Sequence, residues 1–143
     1  MTYESFCAED TAKIGGELAL GAKAGDVFCL AGNLGAGKTV FAGGFARGLG
    51  LSCEITSPTF TILNEYRGGR LSLFHFDLYR LKDPSELYGI GYEEYFFGGG
   101  VTLVEWPIRA GGLIPQNAVH IAIEIDFDIS MDFRRITVGE QCI

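Results

Sequence analysis

The run Val27-Phe-Cys-Leu-Ala31 is apolar at every position, the pattern of a strand buried on both faces. A glycine-rich break follows, and residues Val40 to Leu49 then read as a helix. Upstream, a short strand is predicted near Met1 to Ser5. A helix follows from Ala8 to about Leu20, with Glu9 and Asp10 in the first turn, where carboxylates favour the helix dipole. Phe60 to Tyr66 and Leu71 to Leu78 flank Arg67-Gly68-Gly69-Arg70 and predict a hairpin with a Gly-Gly turn. Residues 84 to 97 read as irregular helix, with Pro84 suited to a first turn. Val101-Thr-Leu-Val104 is short and apolar, as a central strand should be, and strands at about Ala118 to Asp126 and Arg134 to Val138 complete the chain. These elements predict one α/β domain over residues 1–143. The sheet is expected to be mixed and largely parallel, with any ligand at the carboxyl ends of the strands.

The break after the first apolar run carries the strongest chemistry. Gly32-Asn33-Leu34-Gly35-Ala36-Gly37-Lys38-Thr39 matches the phosphate-binding loop G-x-x-x-x-G-K-[ST], in the strand-then-helix setting the motif requires. Glycines let backbone N–H groups converge on a phosphate, the helix N-terminus favours negative charge, Lys38 reaches the terminal phosphates and the Thr39 hydroxyl ligates Mg²⁺. Such a loop hydrolyses nothing without acidic groups to hold the metal and orient water. Glu105, directly after Val101 to Val104, is the first candidate, delivered by a buried strand. Asp77, in His75-Phe76-Asp77-Leu78-Tyr79-Arg80, is the second, because a carboxylate among aromatics must meet a metal or an arginine. Arg80 is the cation at hand for a structural pair. Thr56-Ser57-Pro58-Thr59 reads either as a switch segment over the γ-phosphate or as an ordinary polar turn. His75 reads as a packed, hydrogen-bonded residue before a proton carrier, and Trp106 as half-buried beside the site.

Composition narrows the classes. The chain has 143 residues, 48% of them hydrophobic, enough for one core and too few for two. A formal net charge of −7 argues against gripping nucleic acid unaided. Cys7, Cys29, Cys53 and Cys142 show no zinc spacing, so reduced structural thiols are expected. No signal peptide opens the chain and no apolar run reaches bilayer length, so a cytoplasmic protein with no membrane partner is expected. A small-molecule kinase would want an arginine-rich lid, and the arginines here are scattered apart from Arg134-Arg135. A non-enzymatic nucleotide switch remains the stronger alternative to an ATPase. An Asn-Lys-x-Asp guanine motif is absent from the sequence.

Taken together, Gly-x-Leu-Gly-Ala-Gly-Lys-Thr, Ser-Pro-Thr-Phe, His-Phe-Asp-Leu-Tyr-Arg-Leu and Glu-Trp-Pro, in that order, resemble the TsaE family of bacterial ATPases in tRNA threonylcarbamoyladenosine synthesis. The resemblance spans nearly the whole chain and implies a P-loop NTPase-like three-layer fold with a mixed, largely parallel central sheet. It implies ATP and Mg²⁺ bound at residues 32 to 39, contacts from Asn33, Leu34, Gly35, Ala36, Gly37, Lys38, Thr39 and Val40, and Mg²⁺ held by Thr39 and Glu105. It implies catalytic roles for Lys38, Asp77 and Glu105, and a switch at Ser57, Pro58 and Thr59. It places Trp106 beside the site, Thr11 near the base and Arg134 near the nucleotide. Arg80 is the best internal arginine finger, unless a partner supplies one. The implied partners are TsaD and TsaB, with tRNA met only through that complex, which ATP hydrolysis would reset. Two positions depart from the family pattern: Asn33 stands where Asp is usual, and Val40 where a second Thr is frequent.

Overall fold

A computed structural model of the chain describes residues 1–52, 54–56 and 61–139. Its elements are β1 (Thr2–Ser5), α1 (Ala8–Leu20), β2 (Val27–Ala31), α2 (Lys38–Gly48), β3 (Leu63–Tyr66), β4 (Leu73–Asp77), α3 (Glu86–Ile90), α4 (Tyr92–Phe96), β5 (Val101–Glu105), β6 (Val119–Ile125) and β7 (Arg134–Gly139), with a 3₁₀ stretch at Pro107–Leu113. The strands form one seven-stranded sheet in the order β1-β7-β6-β2-β5-β4-β3. Strands β6, β2, β5 and β4 are parallel neighbours, while β7 and β3 run against them. Because β1 is antiparallel to β7, five of the seven strands point the same way.

Alternation along the buried strands divides the core in two. Phe28 and Leu30 of β2, with Val101 and Leu103 of β5, face α1 and α2 around Phe41 and Phe45. Val27 and Cys29, with Phe74, Phe76 and Val104, face α3, α4 and the 3₁₀ stretch around Leu87 and Phe96. The sheet is therefore the middle of three layers, as expected. Cys29 is buried and Cys7 exposed, with no disulfide at either among the described residues, and Cys53 and Cys142 lie outside the described residues.

Three boundaries differ from the sequence reading, each for a local reason. Helix α2 begins at Lys38 rather than Val40, so the loop's own Lys and Thr form its first turn. The 84–97 segment splits into α3 and α4 at Gly91, whose φ of 74° breaks the helical path. The 3₁₀ stretch after β5 was not anticipated; it starts at Pro107 and breaks at Gly111, with φ 58°. No helix among the described residues is long and apolar enough to cross a membrane.

Packing around β6 has a pH consequence. Burial of His120 on β6 pushes its pKa below the ordinary 6.5, because the charged ring is desolvated. The unfolded chain then binds the proton more readily. The stability His120 contributes is complete above 6.5 and is lost as pH falls through the depressed folded-state value. Urea midpoints between about pH 5 and pH 8 are expected to fall less steeply with acid in His120→Gln than in the wild type. Superimposable profiles would refute this.

Candidate functional site

Strand β2 ends at Ala31 and the chain turns through the glycine loop into α2. The turn needs its glycines: Gly35 and Gly37 sit at φ 82° and 107°, a region side chains rarely adopt. The loop also lies against β6, where a Cβ on Gly32 would come within 2.9 Å of the Ile123 carbonyl oxygen. Arg134, the first residue of β7, braces it. Its Nε donates to Ala36 O at 2.7 Å and its Nη2 to Gly35 O at 3.4 Å, while Nη1 donates to the carbonyls of Met131 and Phe133. Arg134 thus meets the loop through its backbone, orienting the carbonyls to one side. Thr11 lies against Gly37, 3.9 Å from where a Cβ there would stand, and its hydroxyl pairs with that of Ser5 at 2.7 Å.

Arg134→Ala is expected to weaken ATP binding about tenfold, or roughly 1.4 kcal/mol, by loosening this loop. Arg134→Lys should not restore it, since an ammonium has no planar fork to span several carbonyls. An unchanged Kd for the folded Ala variant, measured by calorimetry, would contradict that role.

Across from the loop, β4 and β5 end side by side. Asp77 and Glu105 are register partners, so both carboxylates rise from the same face at the strands' carboxyl ends. Between them and the loop lies a cleft of about 530 Å³, lined by Leu34, Gly35, Gly37, Lys38, Thr39, Val40, Thr61, Ile62, Asp77, Tyr79, Arg80, Glu105 and Trp106. That is the size of site that holds a small cofactor. Ser57, Pro58 and Thr59, the expected switch, lie outside the described residues.

Electrostatics couple the two walls. Lys38, buried at the start of α2, turns its Nζ back to donate to Gly32 O at 2.5 Å and Asn33 O at 3.4 Å. The ammonium also lies 4.3 Å from the centroid of the Trp106 ring. Desolvation lowers the Lys38 pKa, against the opposing pull of the Glu105 and Asp77 carboxylates. Desolvation likewise raises the Asp77 pKa, opposed by the Tyr79 N–H that donates to Oδ1 at 3.1 Å. Among the described residues Asp77 forms no ion pair, so the alternative of a structural bridge to Arg80 is not what holds it; Arg80 is exposed at the cleft edge.

Trp106 is half-buried, packs against Tyr79 with ring centroids 5.1 Å apart and the planes tilted by 52°, and is the one non-glycine residue with positive φ among those described, at φ 57°. A tryptophan held in the left-handed region between Glu105 and Pro107 is a strained backbone at a cleft wall. His75 is fully buried, and its Nε2 lies 2.6 Å from Glu105 Oε2. Among the described residues its buried Nδ1 has no partner, which costs about 1–3 kcal/mol. The pairing of His75 with Glu105 was invisible to sequence reasoning, because 30 residues separate them and only strand alignment brings them together.

The donor set suits Mg²⁺. Thr39 and Glu105 offer hard oxygens to one cleft, and no three His, Cys, Asp or Glu side chains cluster into a metal cage among the described residues. Mg²⁺ is commonly held this way, by one or two protein oxygens with substrate phosphates and water.

The chain has counterparts among known proteins. The family model for threonylcarbamoyl adenosine biosynthesis protein TsaE matches residues 6–135. The chain belongs to the TsaE family. It is 45% identical over 141 residues to the tRNA threonylcarbamoyladenosine biosynthesis protein TsaE of Bacillus subtilis, covering 99% of this chain and 88% of that one. The protein of the same name from Treponema pallidum is 43% identical over 139 residues, covering 97% and 100%. The crystal structure of Bacillus subtilis YdiB superposes with a TM-score of 0.79 at 42% identity, over 96% of this chain and 83% of that one. This TsaE-family chain therefore shares its mixed α/β architecture with YdiB.

Proposed function

We propose that this TsaE-family chain is a Mg²⁺-dependent ATPase of the cytoplasm that works with TsaD and TsaB in making threonylcarbamoyladenosine beside the tRNA anticodon. Hydrolysis resets that complex between turnovers, and tRNA is met only through the partners. One observation carries the reading: Lys38 and Thr39 of a phosphate loop face Asp77 and Glu105, register partners on adjacent strands, across a nucleotide-sized cleft. Family membership supplies the pathway.

In this reading the loop N–H groups and the α2 N-terminus receive the phosphates. Lys38 leaves the carbonyls of Gly32 and Asn33 for the β- and γ-phosphate oxygens. Thr39 and Glu105 would hold Mg²⁺, which when bound would supply positive charge against the phosphates. Asp77 orients the water that attacks the γ-phosphorus in line, as the Pγ–O bond to the departing ADP breaks. Its desolvated carboxylate is the more basic for being buried. Lys38 stabilises the charge that builds on the transferred phosphoryl oxygens, and Arg80 stands at the cleft edge to add to it. Asn33 and Val40 delete no group that this sequence of steps requires.

Steady-state phosphate release from ATP and Mg²⁺, with and without the purified TsaD–TsaB pair, tests the proposal. Release that the pair stimulates supports it. Tight nucleotide binding with no release above background, with partners present, would make the chain a nucleotide-controlled binding module instead.

A further inference from the structure

We propose that His75 is a positioning residue that fixes the carboxylate of Glu105 in one orientation toward the Mg²⁺ of a bound nucleotide; the inference rests on the reading of the cleft as a Mg²⁺–nucleotide site. On the parallel pair β4 and β5, His75 is aligned with Leu103 and Asp77 with Glu105, so His75 is the diagonal neighbour of Glu105 on the face that carries both carboxylates. Its Nε2 lies 2.6 Å from Oε2, with the two side chains 0% and 3% exposed. Donation from Nε2–H is the one hydrogen bond that the Glu105 carboxylate makes among the described residues.

Two features show that this bond is what the ring is there for. An apolar side chain would fill the middle of β4 as well as its neighbours Leu73 and Phe76 do, without burying an Nδ1 that has no partner among the described residues. And a buried carboxylate can rotate unless something holds it, while the Lys38 ammonium attracts that of Glu105 from across the cleft. By occupying Oε2, His75 leaves Oε1 as the oxygen that serves the cleft Glu105 lines. Side chains that hold a metal's carboxylate or imidazole from behind set its direction, and their loss weakens metal binding without touching the metal.

The geometry assigns different outcomes to three substitutions. His75→Gln carries an amide N–H at about the reach of Nε2; His75→Asn carries one that falls short; His75→Leu carries none. Calorimetric titration of ATP at a series of Mg²⁺ concentrations and in chelator, with thermal melts to establish folding, separates them. The wild type and His75→Gln are expected to need similar Mg²⁺, while Asn and Leu need roughly ten to a hundred times more. ATP binding in chelator should be the same in all four. A folded Asn variant with wild-type Mg²⁺ dependence, a Gln variant no better than Asn, or equal weakening in chelator would overturn the inference. Should Asn and Leu fail to fold, ¹⁵N–¹H spectra of the wild-type imidazoles decide. A slowly exchanging proton on Nε2 of His75 that shifts when Mg²⁺ joins bound ADP supports the role, and an unprotonated Nε2 refutes it. Wild-type protein that binds no ATP, or binds it with no response to Mg²⁺, would overturn the cleft reading itself, and is seen before any variant is compared.

Discussion

Glu105→Gln is expected to bind ATP within a few-fold of wild type and to slow partner-stimulated phosphate release about 100-fold or more, a loss of roughly 2.7 kcal/mol of transition-state stabilisation. The amide is the same size and its carbonyl oxygen still accepts from His75 Nε2–H, so the bond at the end of β5 survives. What disappears is the negative charge facing Thr39 and Lys38 across the cleft. Binding should survive because the loop backbone and α2 carry most phosphate contacts. Lys38, relieved of one carboxylate, should hold phosphate at least as well. Comparing calorimetric Kd with the turnover rate of the same preparation checks both halves. Turnover within threefold of wild type would remove Glu105 from the chemistry.

Gly44→Ala and Gly43→Ala, one residue apart on α2, are expected to move stability in opposite directions. A Cβ on Gly44 would overlap the Ala12 carbonyl on α1, a backbone group that cannot swing aside. The helices must separate, at a cost of about 3 kcal/mol or more. For a chain of this size that lowers Tm by roughly 10 °C. Nothing lies within 4 Å of a Cβ on Gly43, so there Ala only removes glycine's unfolded-state freedom, worth about 0.5–1 kcal/mol of added stability. The Gly44 change should also weaken ATP binding, because α2 starts with Lys38 and α1 carries Thr11 against Gly37. Equal melting temperatures for the two variants would show that the α1–α2 approach is looser than described.

Much of this architecture was legible because the chain announces it locally. The all-apolar run Val27–Ala31 and the helix Ala8–Leu20 fell where the sequence put them, as each has its own pattern and boundary residues. Lys38, Thr39, Asp77 and Glu105 were each readable as candidates from local pattern, the first two from the loop motif and the acids from their places at the ends of apolar runs, and the fold brings all four to one cleft. What could not be read depends on alignment between distant segments. That Asp77 sits directly opposite Glu105 is a matter of strand register. That Arg134 braces the loop through its carbonyls follows from β7 returning next to β6, with Arg134 and Ala36 98 positions apart in the chain. The left-handed Trp106 lacked any signal, because positive φ is foretold by glycine or asparagine and not by tryptophan.

The most direct test of the account is calorimetric titration of ATP with Mg²⁺ into the wild-type chain and into Lys38→Ala. The cleft as described predicts saturable binding at a single site in the wild type, and its loss in a Lys38→Ala protein that melts normally. No saturable binding by the wild type, or equal affinity in the variant, would mean that the loop between β2 and α2 is not a nucleotide site.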